Sequence, residues 1–192
     1  MGRKLKREFY HRPTLKVAKE LLGKFLVVYR RGKTLSGKIV ETEAYIGSSD
    51  PACHASKGMT PRNKVMFGPP GHAYIYFTYG MYHCLNLVTE KEGFPAAVLI
   101  RAIEPVQGME LMARRRGTKN VKNLASGPGK LCQALGLDRS LNGEDLCSGS
   151  IWIEDRAEKA GKIKSTSRVG VTNGKNKKWR LYIYNSEFVS KR

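Results

Sequence analysis

Phe25-Leu26-Val27-Val28-Tyr29-Arg30 is followed by Arg31-Gly32-Lys33 and then by Thr34-Leu35-Ser36-Gly37-Lys38-Ile39-Val40-Glu41-Thr42-Glu43-Ala44-Tyr45-Ile46. Two runs rich in β-branched and aromatic residues around a short glycine-containing break predict an antiparallel hairpin. Upstream, the near-helical spacing of Leu15, Val17, Ala18, Leu21 and Leu22, with Pro13 before it and Gly23 after, predicts a helix over 13–22. Downstream, Gly47 to Pro70 is rich in glycine, proline and polar residues. A loop of that length inside a domain is usually functional. Strands are expected over 73–78, 84–89 and 96–103, with a helix opening at Glu104-Pro105 and running toward Arg114. A short helix from Ser126-Gly127-Pro128 to Leu135 would have Ser126 as N-cap and Gly136 past its end. Strands over 151–154, 168–171 and 180–184 complete the reading. The fold class is therefore α+β: a curved, mostly antiparallel sheet with flanking helices and a protruding β-hairpin around Tyr79-Gly80-Met81. Residues 1–192 form one expected domain, with 1–8 and 186–192 as less ordered tails.

The chain has 192 residues, of which 35 are Lys or Arg and 16 are Asp or Glu, for a formal charge of +19. Solubility needs a net charge of only about 2–8 on a small domain, so a surplus this large points to a polyanion. Its distribution is uneven. Residues 1–33 carry eleven basic and two acidic side chains, residues 34–112 six and seven, and residues 113–192 eighteen and seven. Two basic flanks around a near-neutral centre suggest that the flanks hold nucleic acid while the centre does something else. The apolar fraction of 41% is enough for a core, which argues against a disordered chain. The longest apolar runs are far below the ~18–20 residues of a membrane span. Cys53, Cys84, Cys132 and Cys147 form no C-x-x-C pair, and the N-terminus does not resemble a signal peptide. A cytoplasmic protein with free thiols is expected, nucleoid-associated if prokaryotic.

Alternation along the second strand places Ile39, Glu41, Glu43 and Tyr45 on one face and Lys38, Val40, Thr42 and Ala44 on the other. Two like charges on one face repel, so one needs a cation or a site that uses its charge. From this strand alone, a salt-bridged exposed edge and a catalytic carboxylate are equally good readings; Glu41 is favoured for the structural role. His54, Thr60, Arg62 and Asn63 follow in the loop. His54 reads as a polar pocket group, and neither H-x-E nor C-x-x-C of the zinc deaminases occurs, so neither metal nor cofactor is expected. Five aromatics crowd residues 74–82. Tyr74, Phe77 and Tyr82 read as core, Tyr76 as a second ring facing Tyr45, and Tyr79 as a projection from the tip. Two facing rings make a slot for a nucleobase.

Taken together, Glu41-Thr42-Glu43-Ala44-Tyr45, His54, Thr60-Pro61-Arg62-Asn63, Tyr79-Gly80-Met81-Tyr82, Asn86, Leu99-Ile100-Arg101-Ala102-Ile103-Glu104-Pro105 and Ser126-Gly127-Pro128-Gly129-Lys130-Leu131-Cys132-Gln133-Ala134-Leu135 closely resemble the alkyladenine DNA glycosylase family, the mammalian-type 3-methyladenine DNA glycosylases. The resemblance runs in order from Phe9 to Tyr184. It implies hydrolysis of the N-glycosidic bond of alkylated or deaminated purines in double-stranded DNA. Candidate substrates are 3-methyladenine, 7-methylguanine, hypoxanthine and etheno-adenine. Glu43 would be the general base that activates water, and Arg101 would hold the water or the flipped nucleotide. Tyr45, His54 and Tyr76 would line the base pocket, with Asn86 excluding the amino group of normal guanine. Tyr79 would enter the minor groove and fill the gap left by the extruded base. A monofunctional monomer is expected, without strand-cleaving lyase activity. Such chemistry passes through an oxocarbenium-like sugar, for which one carboxylate can both activate water and stabilise charge. A damage-binding module without chemistry and a metal-dependent nuclease are the alternatives. Glu43 beside Tyr45 separates the enzyme from the first.

Overall fold

The strand β3 (Lys33–Ile46) organises the molecule. The computed structural model describes residues 2–191, leaving Met1 and Arg192, at the ends of the two expected tails, outside the described residues. One edge of β3 pairs first with β2 (Phe25–Arg30) through residues 33–38 and then with β9 (Arg180–Ile183) through residues 41–43. The other edge pairs with β6 (Ala96–Gln107). The β2–β3 turn needs only Arg31 and Gly32, at φ +50° and +72°, the two-residue hairpin geometry that matches strand twist. Lys33 is thus already in the strand.

The full sheet runs β1 (Arg3–Lys4), β7 (Ile151–Asp155), β2, β3, β6, β5 (Tyr82–Val88), β4 (Ala73–Thr78), with β8 (Ile163–Thr166) attached through β9. Every pairing between these strands is antiparallel. Four helices, α1 (Arg7–Tyr10), α2 (Thr14–Leu21), α3 (Met109–Arg116) and α4 (Pro128–Leu135), complete the α+β architecture among the described residues. No helix among them is long and apolar enough to cross a membrane. Within the stretches expected to be loose tails, Arg3–Lys4 pairs with β7, and the backbone N–H of Ser190 donates to Glu41 at 2.6 Å.

Several local expectations change. In β3, the register passes from Ile39↔Ile103 to Glu41↔Ala102 and then Thr42↔Ile100, so Val40 and Arg101 fall outside the paired positions. A bulge of this kind inverts the pleat. Leu35, Ile39 and Ala44 therefore share the main core, while Tyr45 packs on a second cluster with Cys53, Met66, Tyr74 and Tyr76. Ile39 does not share the face of Glu43 and Tyr45. Nor does Glu104-Pro105 open a helix: β6 continues to Gln107 and α3 begins after Gly108. Pro105 sits opposite Gly37 beside a register shift, where a missing N–H is tolerated, and a Cβ on Gly37 would lie 2.7 Å from the Glu104 carbonyl. At α4 the N-cap position is Gly127, with no side-chain cap; Ser126 pairs with Ala102 instead. Gly136 ends that helix at φ +70° as expected. Residues 168–171 are loop, not strand, and the unpredicted β8 precedes them.

Candidate active site

The bulge in β3 and β6 brings two carboxylates and one guanidinium together. Arg101 donates from Nε to Glu41 Oε1 at 3.1 Å and from Nη1 to Glu43 Oε2 at 3.2 Å. Glu41 also receives Arg180 Nε at 2.6 Å and the Ser190 hydroxyl at 2.8 Å. It is fully buried, with its lone pairs committed to cations and donors, as a structural carboxylate requires. Glu43 is fully buried too, but its partners are different. Oε2 accepts the Tyr45 hydroxyl at 2.8 Å as well as Arg101, and Oε1 accepts the backbone N–H of Val169 at 2.7 Å. Burial pushes its carboxyl above the usual carboxylate range, Glu41 adds to that, and Arg101, Val169 and Tyr45 oppose it. On Arg101, burial works to lower the pKa, but Glu43 and Glu41 outweigh it and hold the guanidinium charged.

In front of this network lies a cavity of about 350 Å³ whose lining includes Tyr45, His54, Tyr74, Tyr76, Asn86 and Arg101. Glu43 contributes no surface to it; Tyr45, Arg101 and Val169, all three of them lining residues, stand between the carboxylate and the space. The His54 ring meets Tyr76 edge-on at 4.4 Å, and Nδ1 lies 2.9 Å from the Tyr74 hydroxyl. Burial, and then the Arg62 charge, lower the His54 pKa, so the ring is neutral at pH 7. Burial also pushes the Tyr74 phenol up to about 12, so it remains protonated and shares a hydrogen bond with Nδ1. Asn86 gives its amide N–H to the Tyr74 carbonyl at 3.1 Å, which fixes its oxygen as the end free for recognition. The loop that carries His54 is closed by Asn63, whose Nδ2 donates to the carbonyls of His54 and Gly58 at 2.9 and 3.0 Å.

All the sequence-predicted pocket residues except Glu43 thus line one cavity, and Tyr79 joins them from the β4–β5 hairpin. Tyr79 is 80% exposed and has φ +50°. Phe77 and Tyr82, read as core, are instead exposed on the same hairpin. Tyr74 is core and cavity wall at once. Sequence reasoning missed Arg168 and the Val169-Gly170-Val171 segment. Arg168 is fully buried, donates to both oxygens of Asp50 at 2.6 and 2.7 Å and to the Ala44 carbonyl at 3.0 Å, and lies over the Tyr45 ring at 4.7 Å. Only pairing with Asp50 in space, 118 residues away, would have revealed it. Among the described residues no group of three His, Cys, Asp or Glu could hold a metal ion.

An aromatic-lined cavity over a buried, cation-paired carboxylate, with an exposed tyrosine on a hairpin beside it, has the shape to receive a flat ring. The sequence profile of the family described as methylpurine-DNA glycosylase matches residues 8–187. A protein of Methanocella arvoryzae named "Putative 3-methyladenine DNA glycosylase" is 55% identical over 193 residues, covering 98% of this chain and 96% of its own length. Proteins of the same name from Carboxydothermus hydrogenoformans and Alkaliphilus oremlandii are 51% and 49% identical, each over 98% of this chain and 99% and 100% of their own lengths. The chain belongs to the methylpurine-DNA glycosylase family.

Proposed function

We propose that this protein is a monofunctional DNA glycosylase that flips damaged purines out of duplex DNA and hydrolyses their N-glycosidic bond, leaving an abasic site for base excision repair. Its substrates are alkylated or deaminated purines of the 3-methyladenine, 7-methylguanine, hypoxanthine and etheno-adenine class. The observation that carries this reading is the Glu43 carboxylate, fully buried and raised in pKa, lying behind the aromatic cavity.

Glu43 acts as general base toward a water held by Arg101. A raised pKa makes the carboxylate a stronger proton acceptor, while Arg101, Val169 and Tyr45 favour its charged form. Its negative charge also stabilises the oxocarbenium-like sugar as the C–N bond lengthens. Water reaches it past Tyr45 and Arg101, so Tyr45 has a second task beside stacking: its hydroxyl holds Glu43 Oε2 until the water arrives. Tyr45, His54 and Tyr76 enclose the extruded base, and Asn86, held in place by its bond to the Tyr74 carbonyl, occupies the space that the exocyclic amino group of normal guanine would need. No lysine lines the cavity, which favours direct hydrolysis over an imine route to strand cleavage. Tyr79 occupies the vacated stack and offsets part of the flipping cost of a few kcal/mol. The basic flanks supply salt-sensitive, sequence-independent affinity.

Product analysis tests the reading. Incubation with duplex DNA carrying hypoxanthine or etheno-adenine, in excess chelator, should release the free base and leave an intact, alkali-labile strand. A nicked strand without alkali would refute the monofunctional assignment, and no release from any lesion would refute the activity.

A further inference from the structure

Tyr45 and Tyr76, the rings proposed to stack on the base, each carry an arginine. Arg168 lies 4.7 Å over the Tyr45 ring, and Arg62 lies 5.2 Å over the Tyr76 ring. Neither arginine lines the cavity, so the guanidinium groups act on the rings from outside it. Arg168 is the stronger case, because it is fully buried and locked by Asp50, the Ala44 carbonyl and a second ring, Trp179, at 5.3 Å. An aromatic ring attracts a cation through the negative charge of its face. A guanidinium already on one face draws that charge toward itself and also repels a second cation on the other. We infer that the Arg168–Asp50 pair is a specificity-determining element that reduces the advantage of cationic alkylated bases at Tyr45 and so keeps neutral damaged purines competitive in the same slot.

The inference rests on the glycosylase reading above. Asp50 tempers the effect without cancelling it: the guanidinium is the group against the ring, and Asp50 holds it there through both oxygens. Arg168 is a positioning residue, since it touches Tyr45 rather than the base, and its neighbour Val169 binds Glu43. A purely structural role would therefore alter the rate on every lesion together. The proposal requires a change in the ratio between lesions.

The test is the neutral pair Arg168→Gln with Asp50→Asn, which keeps a donor facing an acceptor while removing both charges. Single-turnover release of cationic 3-methyladenine from methylated duplex is compared with release of neutral etheno-adenine from a defined duplex, each as maximal rate over half-saturating enzyme concentration. The ratio of cationic to neutral should rise about threefold to tenfold, the span of a modest cation–π gain. It should do so mainly through tighter half-saturation for 3-methyladenine. Arg62→Gln, at an exposed position that tests no buried pair, should shift the ratio the same way by a smaller factor. An equal fall on both lesions, or an unchanged ratio with both variants folded, would overturn the proposal. Absence of base release by the wild-type protein would instead overturn the glycosylase reading.

Discussion

Replacing Tyr79 by Gly should separate function from stability at a single residue. Tyr79 is 80% exposed and holds φ +50°. A non-glycine residue pays roughly 1–2 kcal/mol for that left-handed conformation. Glycine removes the strain but loses about 0.5–1 kcal/mol through its freer unfolded chain. Loss of so exposed a ring costs little burial, so the net effect on folding should lie between about zero and +1 kcal/mol. For a chain of this size that is a melting temperature unchanged or raised by up to roughly 2–4 °C. Base release should move the other way. An aromatic–base stack is worth about 1–3 kcal/mol, so release from duplex DNA should fall roughly 5- to 150-fold, with Tyr79→Phe close to wild type. Calorimetry and single-turnover release on the same preparations read the two effects. A loss of more than about 2 kcal/mol of stability would mean that the ring holds the hairpin together. Undiminished release by the glycine variant would refute the wedge.

Other predictions follow from the buried network. Because the Glu43 pKa lies above the usual carboxylate range and the base must be ionised, release should fall as pH drops through that raised pKa, giving an acid limb above the range of an ordinary glutamate; a pH–rate profile flat to pH 4 would contradict it. Burial pushes the Asp50 carboxyl up, but Arg168 more than compensates and holds it below the ordinary value. Its stabilisation is therefore present above the unfolded pKa and lost as pH falls through the lower folded value. Asp50→Asn should cost about 3–5 kcal/mol at pH 7 by stranding a buried cation, and the deficit measured by denaturant unfolding should shrink below about pH 4. Gly129→Ala should place a Cβ 2.8 Å from the Tyr82 ring, costing about 1–3 kcal/mol of overpacking and disturbing the hairpin that carries Tyr79; a variant with wild-type stability and release would show that Tyr82 yields freely.

Fold class and the aromatic part of the pocket were legible because they depend on local pattern, whereas Asn86 and Arg101 came only from the family resemblance. Period-two alternation and the Arg31-Gly32 break announce the β2–β3 hairpin, and the aromatic density of 74–82 announces the second one. What escaped depends on pairing between distant segments. The Val40 bulge is a property of two strands in register, so alternation along β3 alone placed Ile39 beside Glu43 when it packs in the main core. Pro105 looked like a helix start because its tolerance in β6 comes from Gly37 and a register shift on the neighbouring strand. The charge map shows the same limit. Dividing the chain into basic flanks and a neutral centre places Tyr45, His54, Tyr76, Asn86 and Arg101 in the centre, yet the C-terminal flank lines the same cavity with Pro128 and Val169-Gly170-Val171 and sends Arg168 and Arg180 beside it. There they meet Asp50 and Glu41, while Arg101 meets Glu43, so three buried cations face three buried carboxylates. The site is near neutral by pairing rather than by composition.

The central claim is that Glu43 activates the water that displaces the damaged base. Its most direct test is single-turnover base release from duplex DNA carrying hypoxanthine, comparing wild type with Glu43→Gln, alongside binding of both to the same duplex. The amide keeps the size of the side chain and an acceptor for the Val169 N–H but cannot take a proton at neutral pH. Release by Glu43→Gln should fall by at least about a hundredfold while binding stays within a few-fold of wild type. Release at the wild-type rate by a folded, DNA-binding Glu43→Gln protein would contradict it.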